Sequence, residues 1–298
     1  MTELGTMTVM LMEKGIQNKN GYADSIRRTA EYGFKVVDLC MCPVQREEVA
    51  LCLDDCWEEI AYGIRNEAEK CGVRIVQSHL PYPTRRKSSD AFGPEAELND
   101  RFRELFRRCI RISEIAGAEW AVVHPVYESD GLPHGIKDVL QYNHRVYDEF
   151  VELAVKHNVG IAFENMCDNA PGARRFGVTS DELCELVDSY NDPVHVGACW
   201  DFGHANRTYP EDQSAALRYI GKRLRATHVD DNVGKEDLHM IPYHGTVKWD
   251  ALMPILAEIG YNGPLIYEIN TRGASGEVLD ELVKHMKRIG DRLVSLVR

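Results

Sequence analysis

The chain has 298 residues, with 35 Lys and Arg against 47 Asp and Glu, giving a formal charge of −12 with the histidines neutral. A balance this acidic opposes nucleic-acid binding, because that affinity comes largely from cation contacts to phosphates. A small uncharged or metal-bridged substrate suits it better. No run of about 18 apolar residues offers a membrane span, and Met1 to Gly15 lack the basic start and apolar core of a signal peptide, so a soluble, cytoplasmic protein is expected.

Short β-rich runs alternate with longer amphipathic stretches throughout, the pattern of repeated βα units around a parallel sheet. In chain order the expected elements begin with a strand at Thr8–Leu11, a helix at Ala23–Tyr32 closed by Gly33, and a strand at Lys35–Leu39. A helix at Trp57–Cys71 closed by Gly72, a strand at Arg74–His79 and a helix at Leu98–Ala116 closed by Gly117 follow. Each glycine stands where a left-handed residue ends a helix. Strands are then expected at Trp120–His124, Gly160–Glu164, Val194–Asp201, Arg225–His228 and Leu265–Glu268. Thr179 and Glu182 have capping-box spacing ahead of a further helix. Val278, Leu282, Met286, Ile289, Leu293 and Leu296 give the last helix an apolar stripe.

Eight strands with crossover helices predict an α/β fold, a single (β/α)8 TIM barrel, with residues 1–298 as one domain; barrels of about 250 residues commonly form one domain. An open doubly wound sheet would be announced by a glycine-rich phosphate turn after an early strand, and none is present. The longest loops, Leu80–Glu95, Asn165–Val178 and Val229–Lys248, all follow strand C-termini, where barrel enzymes keep their sites. The nine cysteines are an odd number with no close CxxC pair. Cys40, Cys109, Cys184 and Cys199 fall in apolar patterns and read as buried reduced thiols, whereas Cys52 and Cys56 are open to another role.

Chemistry enters with the polar residues that close the apolar runs. His79, His124, Glu164, Asp201, His228 and Glu268 end the third to eighth strands, which aims each at the barrel mouth. Carboxylates and imidazoles gathered there without enough cations would repel and desolvate unprofitably unless a metal neutralised them. Mixed oxygen and nitrogen donors without cysteine favour Mn2+, Co2+, Fe2+ or Zn2+ over a thiolate-type structural zinc.

Six segments carry a resemblance: Ser78-His79-Leu80-Pro81-Tyr82, Val123-His124-Pro125, Ala162-Phe163-Glu164-Asn165, Trp200-Asp201-Phe202-Gly203-His204, Thr227-His228-Val229-Asp230-Asp231-Asn232 and Tyr267-Glu268. In this order they resemble the sugar phosphate isomerase/epimerase superfamily of xylose isomerase-like barrels, which also contains the endonuclease IV enzymes. The resemblance implies that Glu164, Asp201, His228 and Glu268 bind one catalytic divalent metal, with Mn2+ favoured and Co2+, Zn2+, Fe2+ or Mg2+ as alternatives. It also implies a metal-dependent isomerase or epimerase acting on a sugar, sugar phosphate or polyol through an enediolate, with Glu164 and Glu268 as base and acid.

Alternatives share these residues. A lyase, similar to inosose dehydratase or a C-glycoside-cleaving subunit, would begin with the same enediolate. Asp237 and His239 have the Asp-x-His spacing of the endonuclease IV enzymes, and with His79, His124 and His204 they resemble a multi-zinc phosphodiesterase cluster. These five residues are therefore expected to bind substrate or a second metal. Relatives often carry a Pro-Gly-Glu-Gly-like turn where this chain has Pro242-Tyr243-His244-Gly245, leaving His244 either at the ligand or exposed. Arg85, Arg86, Lys87, Arg174, Arg175 and Lys235 are the basic residues available in these loops to clamp an anionic substrate or to lie in solvent. The expected partner is a small carbohydrate, with no membrane; self-association is left open.

Overall fold

A computed structural model describes residues 2–12, 15, 17–42, 49–53, 55–82, 100–126, 136–168 and 175–297. Its strands are β1 (Leu4–Met7), β2 (Val36–Cys40), β3 (Arg74–His79), β4 (Trp120–Val123), β5 (Gly160–Glu164), β6 (Val196–Asp201), β7 (Leu224–Val229) and β8 (Leu265–Tyr267). They pair in parallel and in sequence order, and β8 returns to β1, so the sheet closes as a barrel. The expected (β/α)8 fold is present.

Helices α1 (Gly21–Glu31), α2 (Ala50–Leu53), α3 (Trp57–Cys71), α4 (Asp100–Ala116), α5 (Ile136–Lys156) and α6 (Ser180–Ser189) precede β6. After it come α7 (Phe202–Thr208), α8 (Ser214–Ile220), α9 (Trp249–Glu258) and α10 (Gly276–Leu296). Gly33, Gly72 and Gly117 close their helices with positive φ, and Thr179 with Glu182 forms the capping box ahead of α6. Among the described residues no helix is long and apolar enough to cross a membrane.

Two expectations need correction. The first strand is Leu4–Met7, and Thr8–Leu11 is a 3-10 turn. Thr8 Oγ1 accepts the Cys40 amide and its carbonyl accepts Ser25 Oγ, so this segment leaves the sheet to tie β2 to α1. Gly5, a poor strand residue by propensity, is required within β1. A Cβ there would stand 2.5 Å from the Val36 carbonyl oxygen and 2.7 Å from Ile266 Cδ1. In α10 the buried stripe is Leu279, Val283, Met286, Gly290 and Leu293, while Val278 is exposed. Of the expected stripe, Met286 and Leu293 are buried and Leu282, Ile289 and Leu296 pack against the core, so Val278 alone falls outside it; Gly290 lets the helix approach the Leu4 side chain closely.

The barrel lumen below the strand ends is filled by Met7, Val36, Cys40, Val76 and Ile266 on one side and Val122, Ala162, Cys199 and Ala226 on the other. The larger apolar core lies between barrel and helices, where Phe106, Tyr147, Phe150 and Phe163 pack on one another. Two register slips decide what faces inward. Between β2 and β3 the pairing passes from Val37↔Ile75 to Asp38↔Gln77, leaving Val76 as an extra residue. Between β6 and β7 it passes from Ala198↔Leu224 to Cys199↔Ala226, leaving Arg225 extra. Strict alternation from Ile75 or Leu224, both packed outward, would turn His79, Gln77 and His228 away from the lumen; each bulge reverses that phase.

Gly5→Ala is expected to destabilise the fold by about 1–3 kcal/mol, the usual range for overpacking a filled interior. Urea unfolding monitored by circular dichroism checks this, and an unchanged midpoint would contradict the crowding argument.

Candidate metal centre

Glu164, Asp201 and His228 end or nearly end β5, β6 and β7, and Glu268 follows β8 by one residue. The pairing Asp201↔His228 sets two of them side by side. One ligand atom from each of the four lies within 4.8 Å of the others. His228 Nδ1 is 2.9 Å from Glu164 Oε1, 2.9 Å from Glu268 Oε2 and 3.9 Å from Asp201 Oδ2. Three of the four are almost wholly enclosed, whereas Glu268 is 22% exposed toward the mouth.

Glu164 is held from several sides. His79 Nε2 lies 3.3 Å and His124 Nε2 3.1 Å from its Oε2, and His204 Nδ1 lies 3.5 Å from its Oε1. Burial pushes this carboxyl up, but His228 and His124 prevail and keep it well below the usual carboxylate range. Glu268 is likewise driven up by burial and drawn back to about 2 by His228. Asp201 is pushed up to about 6 by burial, against the pull of His204. Burial opposes a charge on His79, yet its bond to Glu164 raises it to about 10; at His124 burial prevails and lowers it to about 4.

The loop after β7 carries a second group to the first. Asp231 accepts from the Asn232 and Val247 amides and from Trp249 Nε1, and its backbone pairs with Met240. Asn232 Nδ2 donates to the Gly203 carbonyl. So anchored, the loop brings Asp237 Oδ2 to 3.3 Å from His204 Nε2 and 3.4 Å from His239 Nε2. Both imidazoles engage a backbone carbonyl through Nδ1, His204 that of Asn165 and His239 that of Glu268, which leaves Nε2 aimed at Asp237. A Cβ on Gly203 would strike Asp230, so glycine at that position gives this buried carboxylate its place under the loop.

The donor chemistry suits a cation. Glu164 Oε2, Asp201 Oδ2, Glu268 Oε2, Asp237 Oδ1 and both oxygens of Asp230 are buried without a hydrogen bond. Among the described residues the ion-pair partners of these carboxylates are all histidines. Buried charge of this kind is ordinarily paired or bound to metal. Three further groups have metal-ligand spacing: His79, His124 and Glu164; Cys167, His204 and Asp237; Asp230, Asp237 and His239.

All nine residues expected from the sequence thus converge on one end of the barrel. His244 does not: it is exposed, with Nε2 3.4 Å from His285 Nε2 on α10. Lys235 is exposed too, and Arg175 is half-buried with its amide bonded to Asp168. Arg85, Arg86, Lys87 and Arg174 lie outside the described residues. Cys52 is buried with Sγ 3.5 Å from Cys109 Sγ, and Cys56 is exposed. Two neighbours, Asp38 and Gln77, escaped the sequence reading, and two more, Asp230 and Tyr82, entered it only as parts of longer segments; the Tyr82 ring stacks on His124 at 4.4 Å. For Asp38 and Gln77 the available signal was one polar residue inside an apolar strand.

A family model described as xylose isomerase-like TIM barrel matches residues 26–289. The chain belongs to this family. An uncharacterized protein of Methanocaldococcus jannaschii is 33% identical over 198 residues, 63% of this chain and 66% of that one. A probable endonuclease 4 of Bacillus licheniformis is 26% identical over 206 residues, 64% of this chain and 65% of that one. The first three curated relatives are spanned over 66%, 51% and 60% of their length. Among solved structures, a D-tagatose 3-epimerase-like protein superposes with a TM-score of 0.73 at 21% identity, covering 99% of this chain and 98% of that one. A D-psicose 3-epimerase determined with D-fructose gives 0.73 at 14% identity, with 100% of both chains covered.

If the orphaned oxygens surround a cation, Mn2+ added to chelator-treated protein will raise its melting temperature, with about 2.7 kcal/mol gained at a hundredfold excess over Kd. Asp201→Asn should lose most of this gain. Equal melting with and without Mn2+, Co2+ and Zn2+ would argue against a metal centre.

Proposed function

We propose that the protein is a divalent-metal-dependent isomerase or epimerase of a small sugar or polyol. The observation that carries this reading is the placement of Glu164 and Glu268, each with an oxygen 2.9 Å from His228 Nδ1 and each with its other chemistry directed differently. Glu164 is closed in by three further imidazoles, and Glu268 reaches the open mouth. Glu164, Asp201, His228 and Glu268 would hold the metal; the mixed donors suit Mn2+, Co2+, Fe2+ or Zn2+, and the family resemblance favours Mn2+. Such a cation supplies positive charge against adjacent carbonyl and hydroxyl oxygens, which favours loss of a proton from the neighbouring carbon.

The protein's own part is proton handling. One glutamate takes the proton from carbon and the other, or the same one, returns it. Return to the opposite face of that carbon gives an epimer, and return to the adjacent carbon gives an aldose–ketose isomer. In this reading His204 and the Asp237–His239 pair would serve hydroxyl groups of a bound sugar, and the Tyr82 ring stacked on His124 would serve as a wall. Similarity to solved sugar epimerases supports this choice of substrate class.

A second reading rests on the two additional groups, His79–His124–Glu164 and His204–Asp237–His239, and on the similarity to a probable endonuclease 4. They give this chain the donors for more than one ion, as a multi-zinc phosphodiesterase would require. The charge of −12 weighs against a polyanionic substrate.

Incubation with a panel of ketoses in D2O with Mn2+ should incorporate deuterium at carbon without loss of product mass. Glu268→Gln should slow this by about a hundredfold or more, the usual weight of general acid–base catalysis. Loss of water in the product points to a lyase. Three zinc ions per chain with nicking of an abasic duplex would replace this reading by the second.

A further inference from the structure

Below the four-residue cluster lies a polar chain that the proton-transfer reading leaves unused. Asp38 projects from β2 into the lumen, wholly buried, and neither carboxylate oxygen has a formed hydrogen bond. Its register partner across the sheet is Gln77, 2% exposed, which faces inward only because of the β3 bulge. Gln77 Nε2 in turn lies 3.0 Å from His228 Nε2. A buried carboxylate, a carboxamide and the imidazole of a candidate ligand therefore stand in line.

The line has a donor problem: the His228 ring has two neighbours outside the carboxylates, the Cys199 thiol, a weak acceptor, and the Gln77 carboxamide, which can offer a carbonyl oxygen. Nδ1 of His228 faces Glu164, Glu268 and Asp201, so Nδ1 is the nitrogen with access to a cation. A ligating imidazole nitrogen carries no proton, and the ring's proton must then sit on Nε2 and find an acceptor. As placed, an amide NH2 meets that nitrogen. Turning the nearly isosteric carboxamide by 180° presents its carbonyl to His228 Nε2–H. In that orientation the carboxamide NH2 is free to donate to Asp38, its register partner, whose carboxylate oxygens have no other hydrogen bond. Burial pushes the Asp38 carboxyl up to about 6, while His228, His79 and Gln77 draw it down.

We propose that Asp38, acting through the Gln77 carboxamide, fixes the Nε2–H tautomer of His228 and so holds Nδ1 ready for the metal. Asp38 and Gln77 are positioning residues in this scheme, and the scheme rests on the metal-centre reading above. Second-sphere partners of this kind ordinarily change metal affinity about 10–100-fold.

Mn2+ titration of chelator-treated protein, with free Mn2+ read by electron paramagnetic resonance, tests it without reference to turnover. Asp38→Asn and Gln77→Leu should each weaken binding about tenfold or more, and the pair combined should be little worse than Gln77→Leu alone. Asp38→Asn joined to Gln77→Glu reverses the bond between positions 38 and 77 but keeps an acceptor facing His228 Nε2–H, so it should regain most of the affinity. Loss that the reversed pair fails to rescue, or wild-type affinity in Asp38→Asn, overturns the relay. If the variants do not fold, as judged by metal-free melting, 15N-histidine spectra of the Zn2+-loaded wild type decide. Because Nδ1 ligation alone would place the proton on Nε2, the deciding signal, in protein also labelled with 13C at glutamine, is a coupling of His228 Nε2–H to the Gln77 carbonyl, which supports the relay; its absence, or a proton on Nδ1, overturns it. Wild-type protein that binds neither Mn2+ nor Zn2+ overturns the metal-centre reading as well, whereas metal binding indifferent to Asp38 removes the relay alone.

Discussion

Glu164 meets four imidazoles, those of His79, His124, His204 and His228, at 2.9–3.5 Å. Everything at the barrel mouth is arranged around that contact. A carboxylate with 1% exposure has lost its water and stays ionised only because positive charge or hydrogen-bond donors replace the water. The histidines do so for Glu164, but they leave Asp201 and Asp230 insufficiently served, and burial raises both. The unsatisfied oxygens are thus a consequence of concentrating carboxylates in a dry lumen. Their arrangement is one that a bound cation would complete.

The rest of the barrel keeps this arrangement rigid. Small side chains, Ala162, Ala226 and Cys199, fill the lumen beneath it, so the strands approach closely enough for their ends to converge. Asp201 spends Oδ1 on the His204 amide as the N-cap of α7, which orients the carboxylate and leaves Oδ2 for the cluster. The long loop after β7 is itself well anchored through Asp231 and Asn232, and the histidines at its contact with β5 and β8 engage backbone carbonyls through Nδ1. Imidazoles held in this way present one nitrogen at a fixed angle, as a preorganised site requires.

One scaffold accommodates both chemical readings because the four-residue cluster is common to them. They differ in what His79, His124, His204, Asp237 and His239 bind: sugar oxygens around a single ion, or further ions around a phosphodiester. In either case the overall charge of −12 disfavours the approach of a polyanionic substrate.

By itself the sequence determined the barrel and the strand-end placement of the polar residues. Apolar runs and glycine stops are local signals that closure of a parallel sheet leaves intact, which is why β3 and β5 fall at Arg74–His79 and Gly160–Glu164 as expected. Gly5 hid β1 because its value lies in the space between Val36 and Ile266, a contact between distant parts of the chain. In α10 the expected stripe holds except at Val278, and it omitted Gly290, whose place against Leu4 is likewise a contact between distant parts of the chain. Asp38 and Gln77 looked like isolated polar interruptions. Only the tertiary structure decided their direction, and that of His79 and His228, because the extra residues Val76 and Arg225 shift the inward phase of β3 and β7. A bulge is a property of two paired strands, and neither strand's sequence contains it alone.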